Sequence, residues 1–219
     1  MTQTPSLTGP VVLPQSGGPP KSLVVLLHGY GSNGEDLIGL TPFWRDALPD
    51  TLFVAPNAPQ ICPGAPDGYQ WWALTSLSPE ARAAGVRQSA PILTAFLDDL
   101  LARFGLAEDR LVLIGFSQGT MMALHVGPRR AGAIAGIIGF SGMLADPVAL
   151  SQEVRSKPPV LLIHGDADDV LPVSSLARAQ EALETQGFAV STHVSPGLGH
   201  GIDEAGIGLG LDFLVQRLA

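Results

Sequence analysis

The chain has 219 residues, of which 46% are hydrophobic, 12 are basic and 20 are acidic, so its net charge is −8. The length and apolar content suit one α/β domain with a substantial core and argue against two separate domains. The chain has no run of Lys or Arg, whereas nucleic acid and anionic membrane surfaces both bind clustered positive charge. We therefore expect neither of them as a partner.

Cysteine content and the first residues bear on the compartment. The single cysteine, Cys62, rules out a disulfide within the chain, and residues 1–5 have neither the basic nor the apolar region of a secretion signal. The longest apolar stretch, residues 131–140, is about half of the ~20 residues that a membrane-spanning helix needs. We expect a cytoplasmic protein without membrane insertion. Its oligomeric state stays open, a homodimer included.

Alternation of apolar runs and longer polar segments predicts the fold. Residues 1–22 contain five Pro and three Gly around an apolar group at 11–13, which predicts a flexible N-terminal arm with one edge strand. Residues 23–219 are predicted to form a single α/β domain, whose mainly parallel, twisted sheet carries helices on both faces. The segments between strands leave no room for a large cap domain. The predicted strands are at residues 23–28, 51–55, 111–115, 136–140, 160–164 and 189–194.

Apolar periodicity marks the helices. The clearest has apolar residues every three to four positions over 92–104 and ends near Gly105. Two more are predicted at residues 174–186 and 203–218. We interpret all three as crossover helices that pack on the sheet rather than as partner-binding surfaces.

The loop after the first strand is rich in glycine. Residues 28–34 read His-Gly-Tyr-Gly-Ser-Asn-Gly, and such a loop presents backbone N–H groups at the strand end. His28 and His164 each precede a glycine at a strand end, where an imidazole usually bonds neighbouring loops, so we interpret both as structural.

Residues 57–79 form a long Pro- and Gly-rich loop that carries adjacent tryptophans, Trp71 and Trp72. Loops of this length inside a compact domain are often functional. We predict that these tryptophans, with Leu74 and Met143, line a substrate pocket. Successive side chains of an extended segment point in opposite directions, so one tryptophan of the pair has an alternative role as a core anchor.

The most informative segment is an apolar strand at 111–114 that continues into Gly-Phe-Ser-Gln-Gly at 115–119 and then into a helix. This is the context of a nucleophile elbow, where small residues beside a strained serine let strand and helix approach closely. Ser117 is the candidate nucleophile. Acyl transfer at Ser117 needs two N–H donors for the oxyanion, and we assign them to Gln118 and Tyr30.

Two later loops supply an acid and a base. Asp166, Asp168 and Asp169 follow the strand that ends at residues 164–165, within reach of an imidazole at the same sheet edge. His200 lies in a Gly-rich loop that gives it freedom to turn towards Ser117. No pair of histidines has metal-ligand spacing with a third partner, so we expect no metal and no cofactor.

Four motifs together resemble the α/β-hydrolase superfamily and, within it, the carboxylesterase, lysophospholipase and acyl-protein thioesterase family. They are Leu-His-Gly-Tyr-Gly at 27–31, Gly-Phe-Ser-Gln-Gly at 115–119, His-Gly-Asp-Ala-Asp at 164–168 and Gly-His at 199–200. The resemblance spans roughly residues 20–218 and makes residues 23–219 the catalytic domain.

The resemblance implies site roles residue by residue. Ser117 is the nucleophile, Asp168 the acid and His200 the base, and the N–H groups of Tyr30 and Gln118 form the oxyanion hole. Two positions depart from the family pattern: Asp169 stands where proline is common, and Gly201 where an acidic residue is common. The departures put only the local geometry of the acid and base loops in question.

We therefore expect a serine hydrolase that cleaves carboxylic esters with short to medium acyl chains through an acyl-enzyme. Its partner is a small-molecule ester or thioester. Alternatives are acyl-protein thioesterase or lysophospholipase activity, and a non-catalytic hydrolase fold that only binds ligands. A peptidase is disfavoured because no gating domain is present.

Overall fold

A computed structural model of the chain describes residues 7–76 and 78–219. Its main sheet has seven strands in the order β1-β3-β2-β6-β7-β8-β9, and only β1 is antiparallel to its neighbour. These strands are β1 Val11–Val12, β2 Ser22–Leu27, β3 Thr51–Val54, β6 Leu111–Phe116, β7 Gly136–Phe140, β8 Val160–Gly165 and β9 Val190–Ser195. The predicted α/β class with a mainly parallel sheet is confirmed.

Helices cover both faces of the sheet because its strands bury side chains on both sides. In β2, Leu23, Val25 and Leu27 belong to one core cluster, while Val24 and Leu26 belong to the other. Such continuous burial is typical of parallel strands. The helices are α1 Gly34–Ile38, α2 Pro79–Phe104, α3 Gln118–Val126, α4 Pro147–Glu153, α5 Ser174–Thr185 and α6 Glu204–Leu218.

Helix α2 is longer than its apolar stripe. It begins at Pro79 instead of residue 92, because Ser78 caps it by accepting the N–H of Ala81 at 3.2 Å. Its first half packs through the small residue Gly85, where an added Cβ would lie 2.2 Å from the Trp72 ring, so it has no apolar stripe. The helix ends at Gly105, which has a φ of 65°.

The N-terminal segment forms the predicted edge strand. Strand β1 pairs with β3, and Leu7 is buried. The backbone continues this pairing, because Ala55 and Asn57 donate N–H groups to the carbonyls of Pro10 and Thr8. Residues 7–12 of the predicted flexible arm are thus held against the sheet, and residues 1–6 lie outside the described residues.

The long loop after β3 contains an antiparallel hairpin, β4 Gln60–Ile61 and β5 Tyr69–Gln70. The hairpin lies against the first Gly-rich loop, since Gly31 donates to the Tyr69 carbonyl and Tyr69 to that of Ser32. Within residues 7–76 and 78–219 there is no cap domain, and no helix is long and apolar enough to cross a membrane.

Candidate active site

Ser117 lies between β6 and α3 in a backbone conformation that only a constrained turn holds. Its φ of 52° and ψ of −112° are unfavourable for a residue with a side chain. The turn is fixed by a hydrogen bond from the Ser117 N–H to the Phe140 carbonyl at 2.9 Å. The Ser117 hydroxyl makes no hydrogen bond with the part of the chain that the structure describes, so it is available at the cavity that it lines.

Close packing around this elbow explains its glycines. A Cβ on Gly119 would lie 1.8 Å from the Leu27 carbonyl oxygen, and one on Gly115 would lie 2.4 Å from Gly119. The hydroxyl of Thr120 is 2.8 Å from the carbonyl oxygens of both Gly115 and Phe140. Strand, turn and helix therefore form one tightly packed unit, as the sequence predicts.

Asp168 and His200 are in direct contact. The Nδ1 atom of His200 is 2.8 Å from Oδ2 of Asp168, whose side chain is fully buried. The other carboxylate oxygen, Oδ1, accepts the N–H groups of Val170 at 2.9 Å and Leu171 at 2.8 Å. Burial by itself would raise the pKa of Asp168, but the hydrogen bonds from His200, Leu171 and Val170 outweigh it and lower that pKa. Asp168 is therefore a carboxylate, and it accepts a hydrogen bond from the proton on His200 Nδ1.

His164 is a second imidazole on the same carboxylate. Its Nε2 atom lies 3.1 Å from Asp168 Oδ2 and 2.9 Å from the Leu171 carbonyl, and its side chain is 1% exposed. Both contacts are to acceptors, so Nε2 carries the proton. The sequence predicts a structural role for His164 but gives no sign of this contact with Asp168.

Polar contacts also join the loop of His200 to its neighbours. Asp166 Oδ1 accepts the N–H of Gly197 at 2.6 Å, which fits the structural role predicted for this residue. Ser141, which has a φ of 44°, donates its hydroxyl to the Gly201 carbonyl at 3.0 Å. The ring of His200 packs against Phe116, with centroids 5.0 Å apart. Sequence reasoning missed Ser141, whose only signal is its position directly after a buried strand.

The two predicted oxyanion donors line the same cavity as Ser117. Gln118 is the first residue of α3, so its N–H has no acceptor inside the helix. In the Gly-rich loop, Gly31 and Ser32 donate to Tyr69 and Gly29, and the N–H of Tyr30 has no acceptor among the described residues.

His28 supports the Gly-rich loop from below. Its Nε2 accepts the N–H of Ala58 at 2.9 Å, so its Nδ1 carries the proton and donates to the Gly29 carbonyl at 2.7 Å. Burial lowers the pKa of His28, and the buried imidazole is therefore neutral. The structural role predicted for His28 agrees with these contacts.

A cavity of about 340 Å³ opens beside Ser117. Its volume is within the range of small-molecule sites. Of the four predicted pocket residues, Trp72, Leu74 and Met143 line it. The full lining is Tyr30, Trp72, Leu74, Arg82, Ser117, Gln118, Met121, Met143, Val170, Leu171, Pro172, Ser175 and Arg178.

The predicted pocket role of Trp71 is wrong. Its side chain is fully buried, and its indole N–H donates to the His28 carbonyl at 3.0 Å, so it faces the core. The two tryptophans point in opposite directions, which is the alternative that the sequence leaves open. The side chain of Gln118 holds the backbone of both tryptophans. It accepts the backbone N–H of Trp71 at 2.8 Å and donates to the backbone carbonyl of Trp72 at 2.9 Å.

Two arginines in the cavity wall are absent from the sequence prediction. Arg82 lies in the first turn of α2 and Arg178 in the second turn of α5. Single arginines on amphipathic helices give no functional signal in a sequence, because most of them are solvated. Among the described residues, no group of three or more His, Cys, Asp or Glu side chains is arranged to hold a metal ion.

Fold and site together define an α/β-hydrolase with a serine at its nucleophile elbow. The model of the phospholipase/carboxylesterase family matches residues 9–216, and the chain belongs to this family. It is a serine-esterase-type hydrolase.

Three relatives illustrate the range of the family. The chain is 29% identical to the esterase YpfH of Escherichia coli over 90% of this chain and 83% of the relative. It is 30% identical to acyl-protein thioesterase 1 of Neurospora crassa, over 89% of this chain and 86% of the relative. The crystal structure of esterase PE8 superposes with a TM-score of 0.93 at 49% identity, covering 97% of this chain and all of that one.

Proposed function

We propose that the protein is a carboxylesterase that hydrolyses esters with short to medium acyl chains through an acyl-enzyme on Ser117. The observation that carries the proposal is the Asp168–His200 hydrogen bond of 2.8 Å at the sheet edge where the elbow presents Ser117. The similarity to the esterases YpfH and PE8 supports the same reaction.

In the proposed reaction, Ser117 Oγ attacks the ester carbonyl carbon while His200 Nε2 takes the hydroxyl proton. The N–H groups of Tyr30 and Gln118 bind the oxyanion of the tetrahedral intermediate. When the intermediate collapses, the bond to the leaving oxygen breaks and His200 gives that oxygen its proton. Water then attacks the acyl-enzyme by the same steps and releases the acid.

Asp168 makes this cycle work without changing its own protonation. Its lowered pKa keeps it ionised, so it accepts the Nδ1 proton of His200 and leaves the Nε2 lone pair for Ser117. The carboxylate also stabilises the imidazolium that forms when His200 takes the proton. In the described part of the chain, no hydrogen bond joins the Ser117 hydroxyl to His200, and such catalytic bonds commonly tighten only in the complex with substrate.

In the proposed complex, the acyl group and the leaving group point away from Ser117 in different directions. Because His200 protonates the leaving group, that group lies on the side of the His200 ring, which packs against Phe116. The cavity beside Ser117 takes the acyl chain, because Ser117 and both oxyanion donors line it together with the apolar side chains of Trp72, Leu74 and Met143. Its limited volume supports the preference for short to medium chains.

The test is hydrolysis of p-nitrophenyl esters of graded chain length by purified protein, with Ser117→Ala as the matched variant. We expect the alanine enzyme to fold normally and to lose on the order of 10³-fold or more of kcat/KM, since covalent catalysis is removed. An organophosphonate should label wild type at Ser117 alone. Labelling at another serine, or an active alanine variant, would contradict the proposal.

A thioesterase is the second candidate, because the chain is 30% identical to an acyl-protein thioesterase over most of both lengths. The proposed steps are the same for a thioester, since only the leaving atom changes. Parallel kcat/KM values for an oxygen ester and a thioester of one acyl group decide between them, and a lysophospholipid tests the remaining family activity. A protein that hydrolyses none of these and resists the phosphonate would be a binding protein.

A further inference from the structure

The cavity beside Ser117, in which we place the acyl chain, is lined by positively charged side chains, although the net charge of the protein is negative. The chain has 20 acidic and 12 basic residues, yet Arg82 and Arg178 line this cavity. Among the described residues that form its lining, none is Asp or Glu. A cavity meant only for neutral acyl chains has no need of two guanidinium groups.

The two arginines reach the cavity from different helices. Arg178 is three residues after Ser175, which also lines the cavity, so one face of α5 turns both side chains towards it. Arg82 comes from the start of α2, beyond the loop that carries Trp72 and Leu74. Most of the remaining lining is apolar. The wall thus combines an apolar passage from Ser117 with cationic groups on its helical side.

Arg82 and Arg178 differ in how they are held. Arg82 lines the cavity and already interacts within the protein. Arg178 is exposed and has no hydrogen bond or ion pair with any of residues 7–76 and 78–219. Its five N–H donors are therefore available for a carboxylate, which a guanidinium binds through two parallel hydrogen bonds.

We propose that this wall is an anion subsite and that the preferred acyl groups end in a carboxylate, as in monoesters of linear dicarboxylic acids. The proposal rests on the proposed esterase function and adds the substrate class. Apolar contacts with Trp72, Leu74 and Met143 hold the methylene chain, and Arg178 binds the distal carboxylate with Arg82 adding to the local positive potential.

The experiment compares two p-nitrophenyl esters of suberic acid, one with a free distal carboxylate and one with a distal methyl ester. We expect wild type to hydrolyse the free acid with a kcat/KM roughly three- to tenfold higher, because an exposed arginine contributes modestly. This ratio should fall when salt rises from about 20 mM to about 500 mM.

Arg178→Gln should bring the ratio close to one, and Arg178→Lys should retain part of the preference because it keeps the charge without the planar fork. Arg103→Gln is the matched control: it removes the same charge at the far end of α2 and should leave the ratio at the wild-type value. A ratio of one or less in wild type, or an unchanged ratio in Arg178→Gln, overturns the subsite.

The two proposals fail in distinguishable ways. Wild type that hydrolyses the methyl ester without preferring the free acid overturns the anion subsite and leaves the esterase function intact. Wild type that hydrolyses neither ester, nor any shorter p-nitrophenyl ester, overturns both.

Discussion

The two sides of the site differ in how completely their polar atoms are paired. On the acid and base side, both carboxylate oxygens of Asp168 accept hydrogen bonds, and Asp166 and Ser141 fix the loop that holds His200. On the cavity side, the lining is mostly apolar, and Arg178 has no partner in the described parts of the chain. The hydrogen bonds on the first side fix the geometry of Asp168 and His200, whereas the cavity side allows substrate preference to vary.

The largest effect on activity is expected from a substitution of Asp168, whose hydrogen bonds hold His200. Asp168→Asn keeps the shape but replaces the acceptor of the His200 proton with an amide, so His200 takes the wrong tautomer. We expect a loss of kcat/KM on the order of 10⁴-fold with a nearly unchanged melting temperature. Ester kinetics and thermal denaturation measure the two quantities.

Its neighbours provide matched controls. Asp169 is exposed, so Asp169→Asn should resemble wild type. Asp166→Asn weakens the bond to the Gly197 N–H and should lower stability more than rate. If Asp168→Asn stays within tenfold of wild type, the acid must be another carboxylate.

A smaller loss is expected at His164, the second imidazole on Asp168. His164→Phe removes one donor from the buried carboxylate and leaves the Leu171 carbonyl without a partner. Because a hydrogen bond to a charged group contributes about 1.5–3 kcal/mol, we expect kcat to fall roughly ten- to hundredfold with little change in KM. His164→Gln, which keeps a donor, should recover part of the loss. Equal kcat in wild type and His164→Phe would make this contact purely structural.

The adjacent tryptophans allow a sharper test of the cavity side. Trp72→Phe should widen the cavity and shift kcat/KM towards longer acyl chains by about three- to tenfold, measured as the octanoate to butyrate ratio. Trp71→Phe is the matched control, since it loses the bond to the His28 carbonyl but does not reach the cavity. An equal shift in both variants would mean that the loop as a whole, rather than the Trp72 side chain, sets chain length.

Phenylalanine is a better replacement than alanine at Trp72, because alanine would also lower the stability of the fold. Trp72 is 3% exposed and packs on Gly85 of α2. Truncation of a buried tryptophan to alanine costs about 3–5 kcal/mol, so a change in chain-length preference would be mixed with a loss of stability.

The sequence predicts those parts of the molecule where local chemistry determines the outcome. Apolar runs identify β2, β3, β6, β7 and β8, because these parallel strands are buried on both faces. The glycines around Ser117 predict the elbow, because the close approach of Leu27 and Gly119 excludes any side chain. The pairing of Asp168 with His200 follows only from the family motif, since spacing alone does not distinguish three nearby carboxylates.

The rest depends on contacts between residues far apart in the chain. Helix α2 starts at a serine cap and a glycine contact, neither of which leaves an apolar stripe. Which tryptophan reaches the cavity is decided by Gln118, 46 and 47 residues later along the chain. The convergence of Arg82 and Arg178 requires two helices to meet at one cavity, and no local pattern encodes that meeting.

The smallest effect on activity is expected from a substitution of Cys62. This residue is next to the site only through the side chain of Tyr30, which the proposed reaction does not use. Cys62 is buried, its thiol donates to the Pro63 carbonyl at 3.9 Å, and its proximity to Tyr30 raises the pKa of the Tyr30 hydroxyl. The proposed role of Tyr30 belongs to its backbone N–H, and the residue as a whole is 41% exposed. Cys62→Ser retains a small hydrogen-bonding group at this position, so activity should stay within a few-fold of wild type in an ester assay.

The same variant should remain sensitive to an organophosphonate and become insensitive to thiol reagents. Complete inactivation of a folded Cys62→Ser enzyme would instead reveal that the thiol takes part in the reaction.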